Sequence, residues 1–377
     1  MCRNAAKIFG FAAGLIIILA LLSIVFDGSR WVRLGSSGWL EQGYVADRDA
    51  RIAGISLEEP GLIDVLNVGD SVCNISLTPM ELFHDYGYTA YNMGRDLQKP
   101  IESYFYIRKA LEKQPVKVIF WEAHNLFRDE SIVDFGGRGL SEYLKFRIPF
   151  IKYHYIWKYW LEGPGIRRYY KGYLVNEAVK PYTGEDYYYW PDKEIYPIQP
   201  REQMIFRFVL NYCKKRDIKL VLYSGASAFC YDIRMHNAVA KFAEECGVEY
   251  HDANYEREKI QIDWENDTFD GGDHLNLFGA RKMTKYLGDY LASECDLTDH
   301  RGDPAYRSWQ ELWTSYEQEV ERMKGTSYPL MEAELKGQAT DGGAHHGKNR
   351  KGSRIWRRDH NPSGAHFRFI RRRLLVH

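Results

Sequence analysis

Two short stretches of this 377-residue chain carry the side chains that acyl-group chemistry needs. The first is Gly69-Asp70-Ser71, a hydroxyl in a tight turn; the second is Asp270-Gly271-Gly272-Asp273-His274-Leu275-Asn276, an imidazole flanked by two carboxylates. A hydroxyl is a poor nucleophile until a neighbouring imidazole takes its proton, and that imidazole needs a carboxylate to fix its tautomer and stabilise its charge. Ser71 is therefore the candidate nucleophile and His274 the candidate base, with Asp270 and Asp273 both open as the third member. Taken alone, Gly-Asp-Ser is also an ordinary turn, and Asn276 suits a helix N-cap. The assignment depends on where the fold puts the two stretches. His84, His124, His154, His236 and His251 are read as plain polar surface or cap residues.

The elements that must position them follow from the local pattern. Leu62 to Val68 is strand-like, bounded by Pro60-Gly61 and Gly69, so Ser71 stands directly after a first strand. The carboxyl end of a parallel sheet is where α/β folds hold ligands, and turn amides there point into the space an oxyanion would occupy. Thr78 as N-cap, Pro79 at the first helical position, Glu81 completing a capping box and Gly87 as a stop predict a helix. Strand-like runs then recur at 88–93, 116–121, 218–223 and 248–251. Helical patterns fall at 100–113, 201–215, 236–246, 276–292 and 305–323. This alternation predicts an α/β fold of three layers, with a mostly parallel sheet and helices on both faces. The Asp/His loop comes immediately before the last helix of that alternation.

A serine after strand one and an Asp/His loop before the last α/β helix resemble the SGNH (GDSL-like) hydrolase family over roughly residues 62–291. The resemblance implies a flavodoxin-like sheet and an acyl-Ser71 intermediate without a cofactor or metal. It implies an oxyanion hole from the Gly94 amide, in Tyr91-Asn92-Met93-Gly94, and the Asn125 side chain, in Glu122-Ala123-His124-Asn125. The family's aspartate stands three residues before the histidine, where this chain has Gly271. Asp270, four before, can reach if the glycine pair bulges, and is preferred to the adjacent Asp273. The layout is also similar to membrane-anchored proteins for O-acylation of cell-envelope polymers, of the alginate acetylation and teichoic acid D-alanine transfer types. That likeness implies an extracytoplasmic domain at a cell membrane, a cell-envelope polysaccharide or other acylated glycan as partner, and either catalysis or a silent scaffold role beside a membrane-bound O-acyltransferase.

Composition sets the remaining bounds. Residues 8–26 form an uncharged apolar run that would cover about 28 Å as a helix, close to the roughly 30 Å of a hydrocarbon core, and are read as a signal anchor. Charge leaves the orientation open, since Arg3 and Lys7 before the span match Arg30 and Arg33 after it; the orientation that the resemblance implies makes residues 1–7 cytoplasmic, with 27–60 a linker, 61–325 the α/β domain, and 337–377 a basic disordered tail. Lysine plus arginine equal aspartate plus glutamate at 51 each, which gives no electrostatic case for a nucleic-acid partner. An aromatic-rich insertion at about 129–200 suits sugar stacking, a membrane interface, or a helical cap packed on the sheet. The six cysteines show no zinc spacing, and most of them are read as small buried hydrophobes.

Overall fold

The computed structural model describes residues 2–25, 44–45, 54–128, 130–148, 150–151, 167–185, 188, 195–228 and 230–325. Most of the expected linker, the middle of the aromatic insertion and the basic tail lie outside them.

Cys2–Val25 forms a helix, α1. Its stretch Lys7–Ile24 has a mean hydropathy of 2.4 with none of it buried, so it is long and apolar enough to cross a membrane. A secretory signal sequence has the same property.

Five strands make the main sheet: β1 (Val65–Val68), β2 (Ala90–Asn92), β3 (Val118–Glu122), β4 (Lys219–Ser224) and β5 (Tyr250–Asp252). All neighbours are parallel, in the order β2-β1-β3-β4-β5. The strands are short apolar runs because both faces are covered. Leu66, Val68, Ile119, Trp121, Leu220 and Leu222 pack into one core with Ile107, Phe206, Val209 and Phe242. The alternate residues Val65, Val118, Phe120, Val221 and Tyr223 pack into another with Leu82, Met283, Leu287 and Leu291. This period of two puts successive side chains on opposite faces.

Helices α2 (Ser71–Ser76), α3 (Pro79–Tyr86), α4 (Pro100–Ala110), α5 (Ile132–Arg147), α6 (Pro200–Lys214), α7 (Ile233–Cys246), α8 (Leu277–Glu294) and α9 (Arg307–Met323) complete the described frame. The α/β expectation is met, with α5 supplied by the insertion. The capping box expected at Thr78 is not formed: its hydroxyl lies 3.1 Å from that of Thr284, and Glu81 is taken by Arg281 and Tyr316. A hydrogen bond across packed helices has replaced a local one. The described tyrosines of the insertion are largely core, since Tyr170, Tyr173 and Tyr188 are each about 1% exposed. Cys73, Cys213 and Cys246 are buried, as small apolar side chains are.

Reading the strand order from β1, the chain steps to β2 on one side and then crosses back to β3 on the other. That reversal makes the crevice between the carboxyl ends of β1 and β3 the topological switch point, where such sheets bind ligands.

Candidate active site

Gly69-Asp70-Ser71 leaves the sheet at this switch point. Val68 pairs with Trp121, which sets the turn after β1 against Glu122 and the residues beyond β3. The approach is so close that a Cβ on Gly69 would lie 2.5 Å from Glu122 Cβ and 2.8 Å from Cys73 Cβ. Asp70 then caps α2, its Oδ1 accepting from Val72 N at 3.1 Å. Ser71, the first residue of α2, is half-buried between fully buried neighbours. The helix is tied down from below, because Asn67 and Asn92 donate their side-chain amides to Cys73 O at 3.0 and 3.2 Å.

The second stretch forms a closed loop. Thr268 and Leu275 pair as an antiparallel bridge, Phe269 N donates to His274 O, and Asn276 N donates to Asp267 O. Asn276 caps α8 through Phe278 N and Gly279 N, as its sequence position suggests, so the loop is held to a long helix. Within it, Asp270 Oδ1 accepts from His274 N at 2.9 Å, and Oδ2 lies 2.6 Å from His274 Nδ1. Asp273 is 3.5 Å from the same nitrogen and instead accepts from the Cys230 thiol. The glycine pair takes the left-handed side of backbone space, with φ +87° at Gly271 and +102° at Gly272.

Burial works against a charge on His274, but the Asp270 hydrogen bond and the charges of Asp273, Asp270 and Asp70 outweigh it and raise its pKa to about 9. That Asp70 contributes puts the Ser71 turn and the His274 loop in one electrostatic neighbourhood. Burial also pushes the Cys230 thiol up, and the Asp273 carboxylate beside it adds to the shift. Asp270, Asp273 and His274 each offer a ligand atom within 4.8 Å of the others. Their hydrogen bonds to one another and to Cys230 are those of an oriented imidazole.

Gly94 is buried against the nucleophile's turn, where a Cβ would stand 2.8 Å from Asp70 O and 2.9 Å from Cys73 Sγ. Asn125 is placed differently from its expected role. It is fully buried, its Nδ2 donates to Gln98 O at 2.7 Å and its Oδ1 accepts from Trp121 Nε1 at 3.1 Å. It lies in the short 3-10 turn Ala123–Phe127, with both ends of its side chain engaged.

The same turn presents groups that the sequence reading passed over. Asp70 Oδ2 accepts from Arg128 Nε at 2.7 Å and lies 3.1 Å from His124 Nδ1. Burial alone would raise the Asp70 pKa, but His124 and Arg128 hold it well below the usual carboxylate range. Glu122 caps the turn through His124 N, at 2.9 Å, while burial and the adjacent Asp70 charge push its own pKa far up. The one sequence signal for this cluster is the spacing of His124 and Arg128, one helical turn apart just after a buried strand.

A cleft of about 300 Å³ opens beside the His274 loop, lined among others by Tyr182, Ala228, Arg257, Gln261 and Trp264. Gly272 is its link to the loop, since a Cβ there would meet Tyr182 at 2.8 Å and Ala228 at 2.9 Å.

These elements define a doubly wound α/β protein with a serine turn and an Asp–His pair at one sheet edge. No protein family's profile matches the chain, and no curated protein matches it in sequence. Among solved structures, it is similar to one from Streptococcus pneumonia provisionally described as a platelet activating factor, with 13% identity over 68% of this chain and 95% of that one, at a TM-score of 0.34. It is also similar to one from Bacteroides fragilis NCTC 9343 provisionally described as an acylhydrolase, with 10% identity over 71% and 96% of the two chains, at a TM-score of 0.30. The chemistry of the site rests on its own geometry.

Proposed function

We propose that this chain is a serine esterase or O-acyltransferase working through an acyl-Ser71 intermediate. The observation that carries this reading is the Asp270–His274 pair, 2.6 Å from carboxylate to Nδ1, held at the sheet edge from which Ser71 emerges. With Nδ1–H directed at Asp270, Nε2 is the atom left to take a proton. His274 Nε2 deprotonates Ser71 Oγ, which attacks an ester carbonyl. The oxyanion is held by the amides of Ser71 and Gly94, and the acyl group passes to water or to another hydroxyl. Asn125, engaged inside the core, is left out of this scheme.

The finer reading, that the acyl group sits on a cell-envelope polysaccharide, draws support from the cleft beside Gly272. Trp264 and Tyr182 offer aromatic faces, and Arg257 and Gln261 offer planar polar groups, a mixture suited to a sugar ring. Helix α1 would hold the enzyme at the membrane with the domain outside the cytoplasm.

The test is labelling of the full chain in detergent by a fluorophosphonate probe, together with hydrolysis of p-nitrophenyl acetate. Labelling and turnover that vanish in Ser71→Ala and His274→Ala support the proposal. A folded wild-type protein that neither labels nor turns over favours a silent scaffold beside a membrane-bound O-acyltransferase.

A further inference from the structure

Beside the proposed triad stands a second imidazole–carboxylate pair, His124 and Asp70, at the same switch point. Asp70 precedes Ser71 in sequence and is fully buried, with its Oδ2 3.1 Å from His124 Nδ1. Arg128 holds the same oxygen, its Nε at 2.7 Å. Arg128 Nη2, 3.4 Å from the same nitrogen of His124, can only donate, so the acceptor for a proton on Nδ1 is Asp70 Oδ2. Backbone holds the ring as well, since His124 N donates to Glu122 Oε1, and the Tyr231 ring packs against it edge-on at 6.4 Å. The Nε2 of His124 carries no hydrogen bond among the described residues, and the side chain keeps 11% of its surface. This matches His274, whose Nδ1 is also turned to a carboxylate. An isolated structural histidine would not need a buried carboxylate that is itself pinned by an arginine.

Resting on the acyl-Ser71 reading, we propose that His124, oriented by Asp70, is a second acid–base group that serves the alcohol leaving and the acceptor arriving, while His274 serves Ser71 alone. In acylation, His274 Nε2 takes the Ser71 proton as the Oγ–carbonyl bond forms. The ester C–O bond then breaks, and the departing alkoxide takes a proton from His124 Nε2. That leaves His274 protonated and His124 neutral. In the second half, His124 Nε2 takes a proton from water or an acceptor hydroxyl, whose oxygen bonds to the acyl carbon. The Oγ–acyl bond breaks, and Ser71 Oγ recovers its proton from His274. Both imidazoles end as they began. A division of this kind puts leaving alcohol and incoming acceptor at one position, the mouth of the crevice between β1 and β3, which suits transfer between hydroxyls as well as hydrolysis.

Two esters separate the steps in the full-length protein. p-Nitrophenolate departs without protonation, whereas the alkoxide of ethyl acetate needs an acid. In His124→Gln the burst of p-nitrophenolate from p-nitrophenyl acetate is expected to stay within about threefold of wild type, while steady turnover and ethyl acetate hydrolysis fall by roughly 10²- to 10⁴-fold. Acetyl-Ser71 should then accumulate and be seen by intact mass. In His124→Ala, added imidazole should restore part of the ethyl acetate rate, an effect that a purely structural role would not produce. Ethyl acetate turnover unchanged in His124→Gln would overturn the inference, as would equal loss of burst and steady rate with no imidazole rescue. A wild-type protein whose fluorophosphonate labelling and ester turnover do not depend on Ser71 would instead remove the parent reading, and this one with it.

Discussion

Asp270 reaches the ring of His274 across four residues, gripping its backbone N with Oδ1 and its Nδ1 with Oδ2. The reach depends on Gly271 and Gly272, whose positive φ values fold the intervening chain out of the way. Asp273, next in sequence to His274, is directed at Cys230. An adjacent residue has its own Cα–Cβ bond pointing elsewhere, whereas a loop closed by a bridge at Thr268 and Leu275 brings its first carboxylate back over its last imidazole.

The two carboxylates should therefore separate in kinetics. Asp270→Asn is expected to lower kcat by roughly 10³- to 10⁴-fold, because an amide at Oδ2 no longer fixes the productive tautomer. Asp273→Asn removes one partly exposed charge and should cost less than about tenfold. Hydrolysis of p-nitrophenyl acetate by both variants checks this, and the reverse ranking would transfer the triad role to Asp273.

Gly272 gives a backbone test of the same loop. With φ +102° and Tyr182 at 2.8 Å from the position of a Cβ, Gly272→Ala meets both strain and a clash. We expect a loss of about 1–3 kcal/mol in stability and a fall in kcat, as the Asp270–His274 alignment loosens. Gly302→Ala is the control, since its φ of +84° is also strained but no atom lies within 4 Å of the added Cβ. It should lose stability in a chemical melt while keeping its turnover.

His274 makes activity and stability respond to pH in opposite directions. As a base it must be neutral, and with a pKa near 9 it becomes so only in alkali. The expected kcat/KM for p-nitrophenyl acetate, whose leaving group needs no acid, rises with pH and levels off above about 9. The folded-state pKa is above the unfolded value of 6.5, so the stability from His274 is fully present below 6.5 and is lost as pH rises through 9. The shift corresponds to on the order of 3 kcal/mol. In Asp270→Asn the rate limb should move to lower pH. A wild-type limb centred near 6.5 would show that the carboxylates do not hold the proton.

The main frame was legible because its signals are local. Apolar runs of four to six residues, Gly87 as a helix stop and Asn276 as a cap all act within a few positions of themselves. The Ser71 turn and the Asp270–His274 loop lie at boundaries that such signals mark. His124 reads as a plain polar residue because its meaning is set by β1–β3 pairing, which brings Asp70 to it across 54 positions; in sequence only its spacing to Arg128 hints at a cluster. Asn125 reads as an oxyanion-hole residue from its place at a strand end, while the engagement of its side chain by Gln98 and Trp121 depends on the turn that follows. One 3-10 turn decides which of two adjacent side chains faces out. Thr78 shows the same limit, since its long-range partner Thr284 displaces the local capping pattern.

Glu122 and Asp70 lead to a prediction about the fold itself. Their carboxyls are fully buried at the ends of β3 and β1, where His124 and Arg128 hold Asp70 well below the usual carboxylate range while burial and the Asp70 charge push Glu122 well above it. Asp70, with its pKa depressed by His124 and Arg128, gives stability that is present above its unfolded value of 3.8 and lost in acid. Glu122 has the opposite sign. Its folded pKa lies well above 4.5, so its contribution is complete below 4.5 and declines as pH rises, because the unfolded chain releases a proton that the folded chain retains. Glu122→Gln keeps the shape and the contact to His124 N through its Oε1 but cannot titrate. Relative to wild type, this variant should gain stability steadily as pH increases from 5 to 8. Arg128→Met, by contrast, leaves Asp70 buried without the guanidinium that hydrogen-bonds it and should cost about 3–5 kcal/mol. Urea melts of the three proteins across that range are the measurement. A wild-type to Glu122→Gln difference that stays flat with pH would mean that Glu122 is ionised in the fold and that Arg128 is shared between two anions.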